Sequence, residues 1–148
     1  MIRVLLAVAV TLALVAAATP AIDAARESRS ERLVRTDLAA VERAATGLLA
    51  SEEPTPGAGA RRVVSVRLPD GTPTTSSVDW VAIGGRPGAD DPDPHVLAYA
   101  VAGRQPRTVS LPVPVKTGGD PLVLHGPGTY ELELTLHEDG VQVVRTGV

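Results

Sequence analysis

The sequence predicts an α+β protein in which an amino-terminal transmembrane helix continues as an amphipathic helix that packs on an antiparallel β-sheet. Three observations predict this class: an uncharged apolar run, an apolar stripe of helical period after it, and short alternating segments beyond residue 60. A chain of 148 residues has room for one compact domain besides such a helix. The predicted segments are 1–22, a transmembrane helix or signal anchor, 23–50, a charged then amphipathic helix, 51–60, a linker, and 61–148, an antiparallel β-domain.

The apolar run covers residues 4–22, nineteen positions without a charge. As a helix it spans about 28 Å, close to the roughly 30 Å hydrocarbon core of a bilayer. The same region also has the features of a cleavable signal peptide, because Arg3 precedes a short apolar core and the small residues "AAATPA" follow it. The sequence therefore predicts a retained membrane anchor, with a cleaved signal peptide as the alternative.

The chain beyond the apolar run keeps a helical period. An apolar residue recurs at spacings of four, three, four and three, at Val34, Leu38, Val41, Ala45 and Leu48. This pattern predicts one apolar stripe on a helix over residues 33–49. Pro20, before it, either kinks a single long helix or begins a second helix with Thr19 as its cap.

Residues 23–32 lie between the apolar run and the stripe and are charged on every side of a helix. Glu31 and Arg35 are spaced for an ion pair across one helical turn. A stretch of this kind is typical of a solvated helix, so the sequence predicts a stalk between the membrane and the domain. A cluster of arginines that binds lipid headgroups or a partner is the alternative interpretation of the same residues.

Two signals disagree about the orientation of the span. Arg26, Arg29, Arg32 and Arg35 follow the apolar run and only Arg3 precedes it, so a positive-inside count keeps the domain in the cytoplasm. The short amino-terminal tail with an early apolar run is instead typical of export. We favour a single-pass protein of the cell membrane with its domain outside the cell.

Beyond the Pro- and Gly-rich linker the period changes to two, which indicates β-strands. "RRVVSVRL" and "RTVSLPVPV" alternate apolar with polar or proline positions, and "VDWVAIG" and "VLAYAVAG" add two further strands. Pro112 and Pro114 have no N–H for a ladder, so they predict that the strand carrying them lies at a sheet edge. The stripe over residues 33–49 is the helix available to cover the apolar face of this sheet.

The clearest hairpin signal is "TYELELTLHEDGVQVVRT". Asp139 and Gly140 fit a two-residue type I′ turn, which would place Leu136 opposite Val143. The alternation puts Glu131 and Glu133 on one strand face. We interpret these two carboxylates as the polar half of the pattern and not as a catalytic pair.

The remaining candidates for chemistry are few. Asp90, Asp91, Asp93 and His95 share one loop, where carboxylates favour a weak calcium or magnesium site, but the calcium-loop glycine and the later glutamate are missing, so a solvated loop is predicted. His125 and His137 have no ligand spacing to His95 and are predicted to be structural or solvent-facing. The aromatic residues are predicted to lie in the core, and they are Trp80, Tyr99 and Tyr130.

Composition excludes several classes of function. The chain has no cysteine, which removes disulfides, thiolate catalysis and zinc–thiolate sites. Its net charge of −3 and three aromatic side chains provide neither a basic face nor a stacking platform for nucleic acid. No glycine-rich phosphate loop or nucleophile elbow occurs. The sequence therefore predicts a protein that is not an enzyme and carries no cofactor or metal.

An apolar helix interrupted by Pro20 and continued as an amphipathic helix on an antiparallel sheet resembles the architecture of type IV pilins and pseudopilins. More narrowly, "MIRVLLAVAV", "ARRVVSVRLPDG" and "VDWVAIGG…VLAYAVAG" are similar to a small, uncharacterised family of haloarchaeal membrane-anchored proteins associated with pilus-type or secretion-type assembly machinery. No basic-Gly processing site precedes the run, and no Glu follows its start to set polymer register. The resemblance therefore implies an accessory component.

The expected function is that of a non-enzymatic, membrane-anchored accessory or structural component of a pilus-like or secretion-like assembly. Its expected partners are the lipid bilayer and membrane proteins of that assembly, and no nucleic acid. The alternative is a secreted or surface β-domain that binds a ligand or polymer after removal of a signal peptide. A Trp80 buried beneath helix 33–49 favours the first function, and an exposed Trp80 favours the second.

Overall fold

One helix, α1, runs without interruption over Ile2–Ser51. In this computed structural model, which describes residues 1–54 and 59–147, Pro20 lies inside the helix. Thr19 does not cap a second helix, because its hydroxyl donates to the carbonyl oxygen of Val15, one turn back, at 2.9 Å. The alternative of two helices is therefore wrong. The predicted linker begins where α1 ends, although its residues 55–58 lie outside the described residues.

The two halves of α1 have different surroundings. Every side chain from Met1 to residue 25 is exposed, and this half is long and apolar enough to cross a membrane. From residue 30 onward one side of the helix is buried, and the predicted stripe is confirmed. The buried helix residues are Ser30, Val34, Leu38, Val41, Ala44, Ala45 and Leu48.

In the part of the chain that the structure describes, the strands form two sheets of four strands each, with the orders β1-β7-β8-β5 and β4-β3-β2-β6. All pairings are antiparallel except that of β5 with β8, which is parallel. The strands are β1 (Arg61–Leu68), β2 (Val78–Ile83), β3 (Val96–Val101), β4 (Arg107–Ser110), β5 (Val115–Lys116), β6 (Leu122–His125), β7 (Gly128–His137) and β8 (Gly140–Gly147).

The α+β class is confirmed, but the prediction of one sheet covered by the helix alone is wrong. Buried residues of α1 and of both sheets form a single hydrophobic cluster. The helix packs mainly against β1 and also touches β7, β8 and β3. Because each sheet has one apolar face, the two faces bury each other where the helix does not reach.

The predicted strand "RTVSLPVPV" is divided between the two sheets. Its first part is β4, at the edge of the second sheet, and its last part is β5, at the edge of the first. Pro112 and Pro114 lie in the crossing segment, where a missing N–H costs no ladder hydrogen bond. The edge position is confirmed for both parts, whereas the continuous strand is wrong.

The predicted β7–β8 turn is displaced by one residue. His137 pairs with Gly140, so the loop residues are Glu138 and Asp139. A type I′ turn needs positive φ at both loop residues, and every positive φ in the described ranges belongs to glycine. Leu136 therefore lies opposite Val141 and not Val143. The partner changes by two positions, which leaves the apolar residues on the same face of the sheet.

Tyr130 holds the corner at which the chain passes from the second sheet to the first. It is 5% exposed, and its hydroxyl is hydrogen-bonded to the backbone carbonyl oxygens of His125 and, at 3.1 Å, Gly126. The same contact forms the tyrosine corner of many β-sandwiches. It ties the end of β6 to the beginning of β7.

We expect Tyr130→Phe to lower the free energy of unfolding by about 1 kcal/mol, because the ring still fills its place while the corner loses its hydrogen bond. Urea denaturation of the full chain in detergent micelles measures this change. Thr146→Val, which removes an exposed hydroxyl 3.3 Å from the Glu131 carbonyl oxygen, is the control. Equal losses in the two variants would contradict a role for the corner.

Candidate functional site at the foot of the domain

The foot of the domain, the end nearest the apolar half of α1, is fixed to the helix at Ser30. This side chain is fully buried. Its hydroxyl accepts a hydrogen bond from the backbone N–H of Ser76 at 2.9 Å and donates to the carbonyl oxygen of the same residue at 2.8 Å. The prediction that residues 23–32 form a solvated stalk is therefore wrong for the side of the helix that carries Ser30, whereas residues 23–25, 28, 29 and 32 are exposed as predicted. A single serine among charged residues carries no pattern by which sequence reasoning would identify this contact.

Two ion pairs hold the same part of α1 to the second sheet. Glu27 lies 2.7 Å from Arg104, and Glu31 lies 2.7 Å from Arg107. Both glutamate side chains are largely shielded from solvent by the domain. The predicted pair of Glu31 with Arg35 is absent from the ion pairs of the described residues, because Glu31 faces β4 instead.

Arg35 is exposed, but its side chain contacts the edge of the core rather than Glu31. Its Nε donates a hydrogen bond of 3.0 Å to the hydroxyl oxygen of Tyr99, a residue that is fully buried. This hydrogen bond, with a smaller contribution from the charge of Glu31, raises the pKa of the Arg35 guanidinium. The guanidinium therefore stays protonated while it donates a hydrogen bond to the buried hydroxyl group of Tyr99.

The opposite side of the helix foot forms an open groove of about 610 Å³, here named the basic groove. Its helix wall carries Arg26, Arg29 and Arg32, and its other wall is the turn around Pro73 and Thr74. Ala25, Leu33 and Thr36 complete the helix wall, and Ile22, the last residue of the apolar run, closes one end of the lining.

The three arginines of the basic groove differ in their contacts. Arg26 donates to the carbonyl oxygen of Thr72 at 2.5 Å and lies 3.5 Å from Asp23, while its Nε is buried without a hydrogen-bond partner. Arg29 and Arg32 are exposed, and no carboxylate lies within 4.0 Å of either in the part of the chain that the structure describes. The lining of the groove therefore includes two exposed guanidinium groups whose charge is not neutralised by a carboxylate of the described residues.

A second cavity, of about 360 Å³, lies beside β5 and is lined by Pro92, Pro94 and Gln142 among others. Lys116 and Asp139 form an ion pair of 2.5 Å in its lining. The hydrogen bond and charge of Lys116 lower the pKa of Asp139, which holds the pair ionised. Among the described residues that line this cavity, no nucleophile is hydrogen-bonded to a base.

The acidic loop does not gather its side chains into one site. Asp90, Asp91 and Asp93 are all exposed, and the Asp93 carboxylate accepts the backbone N–H of His95 at 2.9 Å. His95 lies with Nδ1 3.2 Å from the carbonyl oxygen of Leu111. Within residues 1–54 and 59–147, no three His, Asp or Glu side chains are close enough to hold a metal ion.

The other polar candidates lie on the surfaces of the sheets. His125 is exposed at the edge of the second sheet, and His137 closes the β7–β8 hairpin opposite Gly140. Glu133 makes a 3.5 Å ion pair with Arg61, and Glu131 is exposed. The structure brings none of these side chains together with another candidate.

The aromatic residues divide between the core and the surface. Tyr99 and Tyr130 belong to the hydrophobic cluster, as predicted. Trp80 does not: it is half-buried, and it pairs with Ala100 and His125 on the outer face of the second sheet. The alternation of β2 turns its neighbour Val81 toward the core, so the prediction that Trp80 is a core residue is wrong.

A family model described as a domain of unknown function (DUF7311) matches residues 1–147. No curated protein and no solved structure is significantly similar to the chain.

Proposed function

The chain belongs to the DUF7311 family, and we propose that it acts as a membrane-anchored accessory or structural component of a pilus-like or secretion-like assembly. It works by contact with partners in the membrane and not by catalysis. Its domain lies outside the cell in this proposal. The haloarchaeal resemblance of the sequence stays a prediction.

The observation that carries the proposal is the shared helix. The half of α1 up to residue 25 is exposed and apolar, and the other half supplies seven buried residues to the domain. Because α1 is one continuous helix, a partner that packs on its apolar half also determines the position of the domain. The pilin-type architecture uses the same division of one helix.

The composition of the apolar half supports a helix as its partner. Ala9, Ala13, Ala17 and Ala21 recur every four residues and lie along one side of α1. Contacts between helices in membranes are enriched in such small residues, because they allow the two backbones to approach closely. The apolar run carries no Glu near its start, which favours an accessory role over a filament subunit.

A photoreactive residue at Ala13 tests the proposal. In washed native membranes we expect it to give crosslinks to another membrane protein, identified by mass spectrometry. The same photoreactive residue at Val144, an exposed position on the first sheet, is the control. Intact mass of the native protein is expected to include the apolar half. Crosslinks to lipid alone from Ala13, or a protein released from the membrane, would contradict the proposal.

The alternative function, a secreted or surface β-domain that binds a ligand or polymer, is favoured by two observations: the cavity beside β5, and the half-buried Trp80, which lies on the outer face of the second sheet and not beneath α1. A cut next to Pro20 would leave every buried residue of α1 in the chain, so the domain would keep its core. Folding therefore does not separate the two functions. A soluble native protein whose mass begins near residue 19 or 25 would support the alternative.

A further inference from the structure

We propose that the basic groove binds the phosphate headgroup of an anionic phospholipid in the leaflet from which α1 emerges. The inference rests on the part of the proposed function that places the apolar half of α1 across a membrane. It names a second contact, between the folded domain and the lipid surface, which fixes the distance of the domain from the bilayer.

The position of the arginines along α1 fits the headgroup layer. Ile22 ends the apolar run, and Arg26, Arg29 and Arg32 lie about 6 Å, about 10 Å and about 15 Å beyond it along the helix axis. The polar layer on each side of a bilayer is about 5–8 Å thick. Arg29 and Arg32 begin beyond this layer, but side chains of a helix point toward its amino terminus, which here is the membrane side. Arg32 Nε donates to the carbonyl oxygen of Ser28, one turn closer to the apolar run, as this direction requires.

The acidic and the basic side chains at the foot of α1 lie mainly on different sides of the helix. Glu27 and Glu31 face the domain and are neutralised there by Arg104 and Arg107. Among residues 1–54 and 59–147, Asp23 is the one carboxylate within 4.0 Å of a groove arginine, and it contacts Arg26 at 3.5 Å. The groove is left with an excess of positive charge, which is complementary to a phosphate diester.

The shape of the groove fits a lipid rather than a dissolved anion. Ile22 and Leu33 supply apolar surface among the arginines, and both are exposed in the structure. The turn at Pro73 and Thr74 faces the helix, and the buried Nε of Arg26 has no partner among the described residues. A headgroup supplies an acceptor for the guanidinium groups, while the glycerol and upper acyl carbons cover the apolar surface.

The test compares lipid binding by two variants of the full chain. Purified protein in neutral detergent micelles is titrated with phosphatidylglycerol and with phosphatidylcholine, and bound lipid is counted by native mass spectrometry. The unmodified chain is expected to prefer phosphatidylglycerol by at least tenfold. Arg29→Gln/Arg32→Gln is expected to lose this preference, because each arginine near an anionic lipid contributes about fivefold in affinity.

Arg43→Gln/Arg62→Gln is the matched control, since it removes two exposed arginines from the far end of the domain. Arg43 and Arg32 each donate through Nε to the carbonyl oxygen four residues back at 3.1 Å, but Arg43 lies about 31 Å from Ile22 along the helix. The control is expected to keep the preference. A preference that survives in Arg29→Gln/Arg32→Gln, or is lost equally in both variants, would overturn the proposal.

Two further arms separate lipid from other occupants. Inorganic phosphate that displaces phosphatidylglycerol at the same concentration would show a general anion site and overturn the proposal. A photoreactive residue at Leu33 in native membranes is expected to yield lipid adducts, and adducts to protein alone would also overturn it. The titration uses the purified chain without partners, so its outcome is independent of the Ala13 crosslinks.

Discussion

Replacing Leu38 with alanine is expected to lower the free energy of unfolding of the full chain by about 2–5 kcal/mol. The side chain is 1% exposed and lies in the cluster that joins α1 to both sheets. Its removal loses transfer free energy and leaves a cavity between elements that cannot all close on it. Urea denaturation in detergent micelles, followed by circular dichroism of the β-domain, measures the change.

Leu49→Ala is the control for that prediction. Leu49 lies on the same helix but is 38% exposed, and exposed substitutions of this kind usually change stability by less than about 0.5 kcal/mol. A β-domain that unfolds with the same midpoint in Leu38→Ala as in the unmodified chain would show that the helix is not part of its core. The expected result would make the helix a structural element of the domain and not an attached leader.

Gly85→Ala is expected to lower the free energy of unfolding by about 1–3 kcal/mol. Gly85 is buried with φ +125°, a backbone conformation that L side chains rarely adopt. A Cβ atom there would also lie 3.1 Å from the backbone nitrogen of Asp93, which cannot move away as a flexible side chain would. Asp93 N–H donates to the carbonyl oxygen of Gly84 at 3.0 Å, so the strain would loosen the loop before β3.

Alanine substitutions at two other glycines separate the backbone strain at Gly85 from the steric contact with Asp93. Gly88 has φ +72° with open space around it, so Gly88→Ala measures the backbone cost without the contact. Gly71 has neither a positive φ nor a contact under 3.8 Å, so Gly71→Ala is expected to leave stability nearly unchanged. Thermal unfolding of the three variants should order them Gly85, Gly88, Gly71 by destabilisation. A Gly85→Ala as stable as Gly71→Ala would contradict the close approach.

In the proposed membrane arrangement, the foot of the domain couples anchoring to folding. Ser30 and the two glutamate–arginine pairs begin only a few residues after the apolar run ends. In the proposed membrane arrangement the domain is therefore held close to the point where α1 leaves the bilayer, with no free stalk between them. Membrane partners and lipid headgroups act on the same rigid body in both proposals.

The parts of the fold that could be predicted from the sequence are those that depend on the regular spacing of apolar residues along the chain. The stripe from Val34 to Leu48 and the alternation of "RRVVSVRL" each repeat over several residues, so burial on one side followed directly. The edge position of the proline-bearing segment also followed, because a missing N–H is a property of the residue itself. For the site, the sequence placed Arg26, Arg29 and Arg32 next to the apolar run.

Only the tertiary structure decided which neighbours these elements take. The division of "RTVSLPVPV" between two sheets, the outward position of Trp80 and the turn at Glu138 and Asp139 depend on partners far away in the chain. The basic groove is of the same kind, since Arg104 and Arg107 draw Glu27 and Glu31 away from the groove arginines. The spacing of apolar residues along the chain determines which side of a helix or strand is apolar. Contacts between residues far apart in the sequence determine which element packs on that side and which charged side chains are left without an ion-pair partner.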